Sequence, residues 1–167
     1  LKVGNGTPPG VLLESIEGGE RLGRWSVIAN NPLWTATSRG DVLTRQWRDG
    51  TVDEFRGNPF KGMREWLSPY KSTALNGLPS LGQLYGIWGY ELIQWIEPTV
   101  PVHSRASNDL PDGIWMLMDS VVIVNQVKRL ITAVSYGDLT RGNSIESACE
   151  KSLKRIDEIH QTLASSL

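Results

Sequence analysis

Cysteine and histidine are almost missing from this chain. Cys149 is the single cysteine in 167 residues, so no disulfide can close within it. With only His103 and His160 beside it, there is no Cys/His cluster at metal-ligand spacing. That usage fits a reducing, cytoplasmic setting. Long apolar runs are missing as well. None approaches the roughly 20 residues that cross a bilayer, and the opening lacks the charged-then-apolar order of a signal peptide, so no membrane partner is expected. Blocks of like charge are also absent. The 17 Lys and Arg are interspersed with 18 Asp and Glu, which leaves no basic stripe to track a phosphate backbone and excludes nucleic acid. The opening at Leu1 reads as the start of a piece taken from a longer protein.

What is present is enough for a core. At 40% hydrophobic residues, the chain can build one sizeable domain, and no repeat or low-complexity tract divides it. Leu12 to Ser15, Trp25 to Ala29 and Leu33 to Ser38 read as short strands between Gly, Asn and Pro punctuation. Arg39-Gly40-Asp41 sits between two such runs. A hairpin turn explains it better than an adhesion tripeptide, and Asp49-Gly50 repeats the device in a meander ending near Phe55. Asn58-Pro59 starts a helix as N-cap and first-turn proline, with Phe60, Met63, Trp66 and Leu67 on its apolar face before Pro69.

The pattern from Ile114 to Val134, divided around Asn125-Gln126-Val127-Lys128, predicts two long antiparallel central strands. Asn143 with Glu146 resembles a capping box. The helix it opens carries Ile145, Cys149, Ile156, Ile159 and Leu163 near one face and Lys151, Lys154, Arg155 and Glu158 on the other. The sum is an α+β fold, a largely antiparallel sheet with a few helices packed against it.

The motifs that suggest chemistry mostly have plainer explanations. "GNGTPPG", Gly4 to Gly10, has no Lys-Ser/Thr and opens no helix, so it is no phosphate loop. "GQLYGIWGYEL", Gly82 to Leu92, spaces its glycines unlike a dinucleotide fingerprint. Close backbone approach at Gly86 and Gly89 is the better account, with Trp88, Tyr90, Leu92, Ile93 and Trp95 filling a core. The seven tryptophans are scattered through periodic elements, which favours packing over an aromatic binding surface. His103 and His160 lack catalytic partners. Asp109 and Asp112, flanking Pro111, read as a turn rather than paired catalytic carboxylates.

"GVLLESIEGGERLGRWSVI", Gly10 to Ile28, is less easily dismissed. An apolar strand exits into Glu14 and Ser15, and the next strand carries Ser26. The plain account is a strand end turning into solvent, with hydroxyl and carboxylate satisfying backbone amides. The other is a small-ligand site suited to a free amino acid: a carboxylate for an ammonium, hydroxyls for a carboxylate and apolar walls for a side chain. Physical chemistry alone leaves both open.

Three blocks, "LLESIEGGERLGRWSVIANNP", "GQLYGIWGYELIQWIEP" and "NDLPDGIWMLMDSVVIVNQVKRLITAV", together resemble the N-terminal region of the large subunit of anthranilate synthase, component I. The resemblance implies that residues 1–167 are the N-terminal regulatory domain, a fragment of a larger two-part α/β sandwich enzyme. That enzyme converts chorismate, with ammonia from a glutamine amidotransferase subunit (component II), to anthranilate and pyruvate. The resemblance also implies Mg²⁺ in the full-length enzyme but no cofactor, metal ligand or catalytic residue in this fragment, which would be inactive alone. The C-terminal chorismate-binding region, absent here, would be a further partner.

Leu12-Leu13-Glu14-Ser15 matches the family's motif for the feedback effector, tryptophan. This implies an effector pocket formed by Leu13, Glu14, Ser15, Trp25 and Ser26. The chain departs mildly from the family at Trp25-Ser26-Val27-Ile28-Ala29 (Tyr-Ser-Phe-Ile-Gly) and at Glu91 (Asp). Aminodeoxychorismate synthase component I, of the folate pathway, shares similar blocks and is the alternative, as is a stand-alone amino-acid-binding module. Alone, the fragment is expected to bind tryptophan weakly or not at all. It is also expected to self-associate through faces around Leu12-Leu13, Trp25-Val27 and Trp115-Val124.

Overall fold

The computed structural model describes residues 9–14, 23–71, 74–79, 83–101 and 110–165. The chain divides into two compact units. One holds Leu1–Pro32, Ser72–Gln83 and Met118–Leu167, and the other holds Leu33–Lys71 and Leu84–Leu117. The crossing between Leu117 and Met118 falls inside one apolar run, so no composition shift marks it.

The first unit is built on a four-stranded antiparallel sheet, β1 (Gly10–Glu14), β2 (Trp25–Asn30), β8 (Ser120–Asn125) and β9 (Leu130–Ser135), in that spatial order. The rung Leu12–Ile28–Val122–Ala133 crosses all four strands. Ile28 and Val122 meet Ile159 of helix α2 (Ile145–Ala164), and Val124, Ala133 and Leu163 pack around them. The helix therefore packs on the face that carries Ser26, Ile28 and Asn30, which Glu14 shares although it stays exposed on the edge strand, since side chains two apart share a strand face.

Three expectations for this region need correction. The cap is Ser144, whose Oγ accepts the Ser147 N–H at 3.2 Å, while Asn143 Oδ1 instead receives Lys151 Nζ at 2.8 Å. Ile145 and Cys149 are exposed, and the contact face runs through Ala148, Arg155 and Ile159. Arg155 thus leaves the solvent face. Its Nε donates to Ser120 Oγ at 3.0 Å and its Nη2 to Asn30 Oδ1 at 3.1 Å, so polar groups on the sheet draw a long cation inward along its apolar stem.

The second unit is a five-stranded sheet ordered β5 (Val52–Arg56), β4 (Val42–Trp47), β3 (Trp34–Arg39), β7 (Gly113–Leu117) and β6 (Leu84–Trp88). Gly40 and Gly50, at φ +61° and +87°, turn the two predicted hairpins. Asn58 caps α1 (Pro59–Leu67) by accepting the Phe60 N–H at 2.9 Å. The core gathers Trp34, Leu43, Trp115 and Leu92, with Met63 entering from the helix.

Beside this core, the Arg45 guanidinium lies 4.6 Å from the Trp47 ring and 4.5 Å from that of Trp66. Asp53 Oδ2 accepts from both Arg45 Nη2 (2.8 Å) and Trp47 Nε1 (2.6 Å). Charge, ring faces and indole donor are thereby all satisfied at one place.

The continuous pattern after Ile114 is three strands rather than two. β7 ends at Leu117 and β8, in the other sheet, begins at Ser120. At the break, Met118 N–H donates to Gln83 O at 2.9 Å and Asp119 O accepts the Tyr136 N–H at 2.7 Å. Both strands are largely buried, and an unbroken apolar run carries no sign of a change of sheet. β8 is central in its sheet, but β7 has only β6 outside it.

The glycine-rich stretch holds Gly86 and Gly89 where backbones approach closely. A Cβ on Gly86 would fall 2.5 Å from both Ile114 O and Trp115 Cδ1, and one on Gly89 would fall 2.6 Å from Asp112 O. The expectation that its aromatics fill a core holds only in part. Leu92 is buried, but Trp88 and Tyr90 are 53% and 76% exposed, because β6 is an edge strand and Tyr90 begins a short 3₁₀ helix (Tyr90–Trp95). Trp88 still stacks on Phe60 at 4.7 Å and meets Trp115 edge-on at 5.4 Å.

The faces expected to need an outside cover are also mostly buried: Val27, Trp115, Leu117 and Val121 to Ile123 all lie below 5% exposure. Leu12 and Leu13, on edge strand β1, remain exposed.

Candidate effector site at the β1–β2 strand end

β1 and β2 run antiparallel with Glu14 directly opposite Ser26 and Leu13 opposite Val27. Opposed residues in such a ladder share a face, with Cβ atoms about 4.5–5.5 Å apart. The ladder therefore brings Glu14 and Ser26 together, a carboxylate beside a hydroxyl. Leu13 and Trp25 fall on the opposite face, with Val27 and Ile123. Ser15, Glu17, His103 and Asp109 lie outside the described residues.

The two polar groups differ in access. Glu14 is exposed on the edge strand, whereas Ser26, one strand in, is 4% exposed. Gln126, 100 residues away in sequence, donates Nε2–H to Ser26 Oγ at 3.0 Å. Its own N–H donates to Arg24 O at 2.8 Å, which fastens the β8–β9 turn to the start of β2. Asn125 Oδ1 accepts the Lys128 N–H at 3.0 Å and closes the turn from inside. On the far face, the Arg24 guanidinium lies 4.7 Å from the Trp25 ring. No sequence spacing could have shown the part of Gln126, because only the pairing of β2 with β8 brings it to Ser26.

Helix α2 reaches the same end of the sheet. Arg155 meets the Asn30 and Ser120 end, Ile159 the Ile28–Val122 rung, and Leu163 packs beyond it, so the helix C-terminus points toward the Glu14–Ser26–Val124 rung. A helix C-terminus carries partial negative charge and favours a cation.

Of the other polar candidates, Asp112 has a structural role. Asp112 is 3% exposed, and its Oδ2 accepts the Gly40 N–H at 2.6 Å, tying the β3–β4 turn to the start of β7. His160 is exposed on α2. Among the described residues, no group of three or more His, Cys, Asp or Glu could hold a metal ion, and no helix is long and apolar enough to cross a membrane.

No protein-family model matches the chain. It is 42% identical over 160 residues to anthranilate synthase component 1 of Synechocystis sp., an alignment covering 95% of this chain and 32% of that protein. It is 32% identical over 155 residues to the protein of the same name from Acetivibrio thermocellus, covering 91% and 30%. The crystal structure of anthranilate synthase component I from Streptococcus pneumoniae superposes with a TM-score of 0.56 at 24% identity, over 94% of this chain and 32% of that one. The chain spans about a third of the length of the curated relatives it matches. It is a homologue of the N-terminal third of anthranilate synthase component 1.

Proposed function

We propose that this chain is the feedback-control portion of an anthranilate synthase large subunit and holds the tryptophan effector at the β1–β2 strand end. The whole enzyme would act in the cytoplasm, forming anthranilate and pyruvate from chorismate with ammonia supplied by a glutamine amidotransferase subunit. Mg²⁺ and the catalytic groups would lie in the remaining two thirds, and the fragment alone would be inactive. The relatives' names favour this over the aminodeoxychorismate alternative.

The observation that carries the proposal is the pairing of Glu14 with Ser26 on one face of an edge strand. A carboxylate beside a hydroxyl, near the negative end of a helix, offers complementary partners to an amino-acid zwitterion. Glu14 receives the ammonium and Ser26 donates to the carboxylate, and the family motif adds Ser15 to the same site. Leu13 and Trp25 brace the two strands from the other face.

The test uses the full-length enzyme. Glu14→Gln and Ser15→Ala should each move the tryptophan inhibition curve to higher concentration, since a charge-assisted bond is worth roughly 1.5–3 kcal/mol, or about one to two decades in affinity. Uninhibited turnover should barely change. An inhibition curve that stays in place with both substitutions returns Glu14 and Ser15 to the role of a solvated strand end.

A further inference from the structure

The Gln126 contact determines how the Ser26 hydroxyl can be used. A serine hydroxyl has one proton and two lone pairs. Because the Gln126 amide approaches as donor, Nε2 to Oγ at 3.0 Å, it occupies a lone pair and leaves the serine proton to donate elsewhere. The main chain that carries this amide is held independently of it, through Gln126 N–H to Arg24 O and through the turn that Asn125 closes.

We infer that Gln126 is a positioning residue that makes Ser26 a committed donor toward the carboxylate of the bound amino acid, while Glu14 opposite remains the acceptor for its ammonium. This rests on reading the strand end as the effector site. It adds a specificity rule to that reading: the site distinguishes ligands that carry a carboxylate from those that carry only the amine. Removing the amide frees the Ser26 hydroxyl to turn its proton away, so recognition of the carboxylate weakens although the serine is intact.

Calorimetry on the full-length protein with L-tryptophan and with tryptamine, which lacks the carboxylate, tests this. Gln126→Met keeps the length of the side chain and removes the donor. It should weaken tryptophan binding about fivefold or more and leave tryptamine within about twofold. In a Ser26→Ala background the same substitution should have no further effect, because Gln126 acts only through Ser26. Gln126→Asn, which keeps the donor on a shorter arm, should recover part of the loss.

Additive effects of Gln126→Met and Ser26→Ala, or equal losses for both ligands, would overturn the inference. If Glu14→Gln leaves binding of both ligands unchanged, the site reading itself fails and the inference falls with it. A positive Glu14 result with an additive cycle removes the role of Gln126 alone. Far-ultraviolet circular dichroism and a melting temperature matching the wild type show that each variant is folded.

Discussion

Arg155 Nε lies 3.0 Å from Ser120 Oγ, a hydrogen bond from the middle of α2 to the first residue of β8. The same guanidinium reaches Asn30 at the end of β2 and Glu158 one turn along the helix, so one side chain pins the helix across two neighbouring strands. Arg155→Ala should cost about 2–3 kcal/mol, because it removes hydrogen bonds to a charged donor and strands Ser120, which is 2% exposed. Arg155→Lys should recover less than half, since a single ammonium cannot reproduce the planar fork. The midpoints of urea denaturation measure both, and an Arg155→Ala variant as stable as the parent would make the cluster a surface ornament.

Gly86 and Gly40 separate two reasons for keeping glycine. At Gly86 the obstacle is space: an added Cβ meets backbone oxygen and the Trp115 indole at 2.5 Å, and that ring also lies over Gly113. At Gly40 nothing stands within 4 Å, and the obstacle is φ +61°. Gly86→Ala should therefore cost about 2–4 kcal/mol and disturb the near-ultraviolet dichroism of Trp115. Gly40→Ala should cost only about 1 kcal/mol and leave that signal unchanged. Thermal melts of the two variants rank them.

These positions show what was legible in the sequence. Turn chemistry is local, so Gly40, Gly50 and the Asn58-Pro59 cap could be read directly, as could the close approach at Gly86 and Gly89. Two successive strands, one ending at Glu14 and the next carrying Ser26, suggest that a carboxylate faces a hydroxyl, as the ladder has it. The family motif names Leu13 and Trp25 along with them, but a linear motif does not resolve strand faces, and alternation sends these two to the other face. What could not be read depended on partners far along the chain: Gln126 at Ser26, Arg155 at Asn30, and the transfer from β7 to β8 through Met118 and Asp119.

The start of α2 gives a pH-dependent test. The Glu146 carboxyl is held below the ordinary glutamate range, first by a hydrogen bond from its own backbone N–H and second by the Ser144 hydroxyl. A carboxyl whose value is lowered on folding contributes stability that is present above its unfolded value, about 4.3, and is lost as pH falls through the lowered folded value. Glu146→Gln should therefore lower the melting temperature slightly at neutral pH, and the difference from the parent should close on acidification below that range. The side chain is fully exposed, so added salt should shrink the difference as well. A gap that persists unchanged at pH 3 would assign the effect to helix propensity and not to charge.

Self-association of the chain remains expected, but the structure moves its seat. The strand faces around Val27, Trp115 and Val122 are already covered, whereas edge strand β6 and its neighbour β7 present Ile87 at 74%, Ile114 at 39% and Trp88 at 53% exposure, followed by Tyr90 at 76%. Ile87 and Ile114 are opposed on one face, so they form a continuous apolar step. Large apolar groups grouped on an edge strand favour covering by another surface. Multi-angle light scattering over a dilution series should show a dimer or larger species for the parent, giving way to monomer on dilution. Ile87→Lys should shift that transition to at least about tenfold higher concentration by placing a charge in the contact. Leu130→Lys, at a residue 53% exposed on the edge strand β9, should leave it where it was. A concentration-independent monomer in the parent would mean that the β6 edge needs no partner.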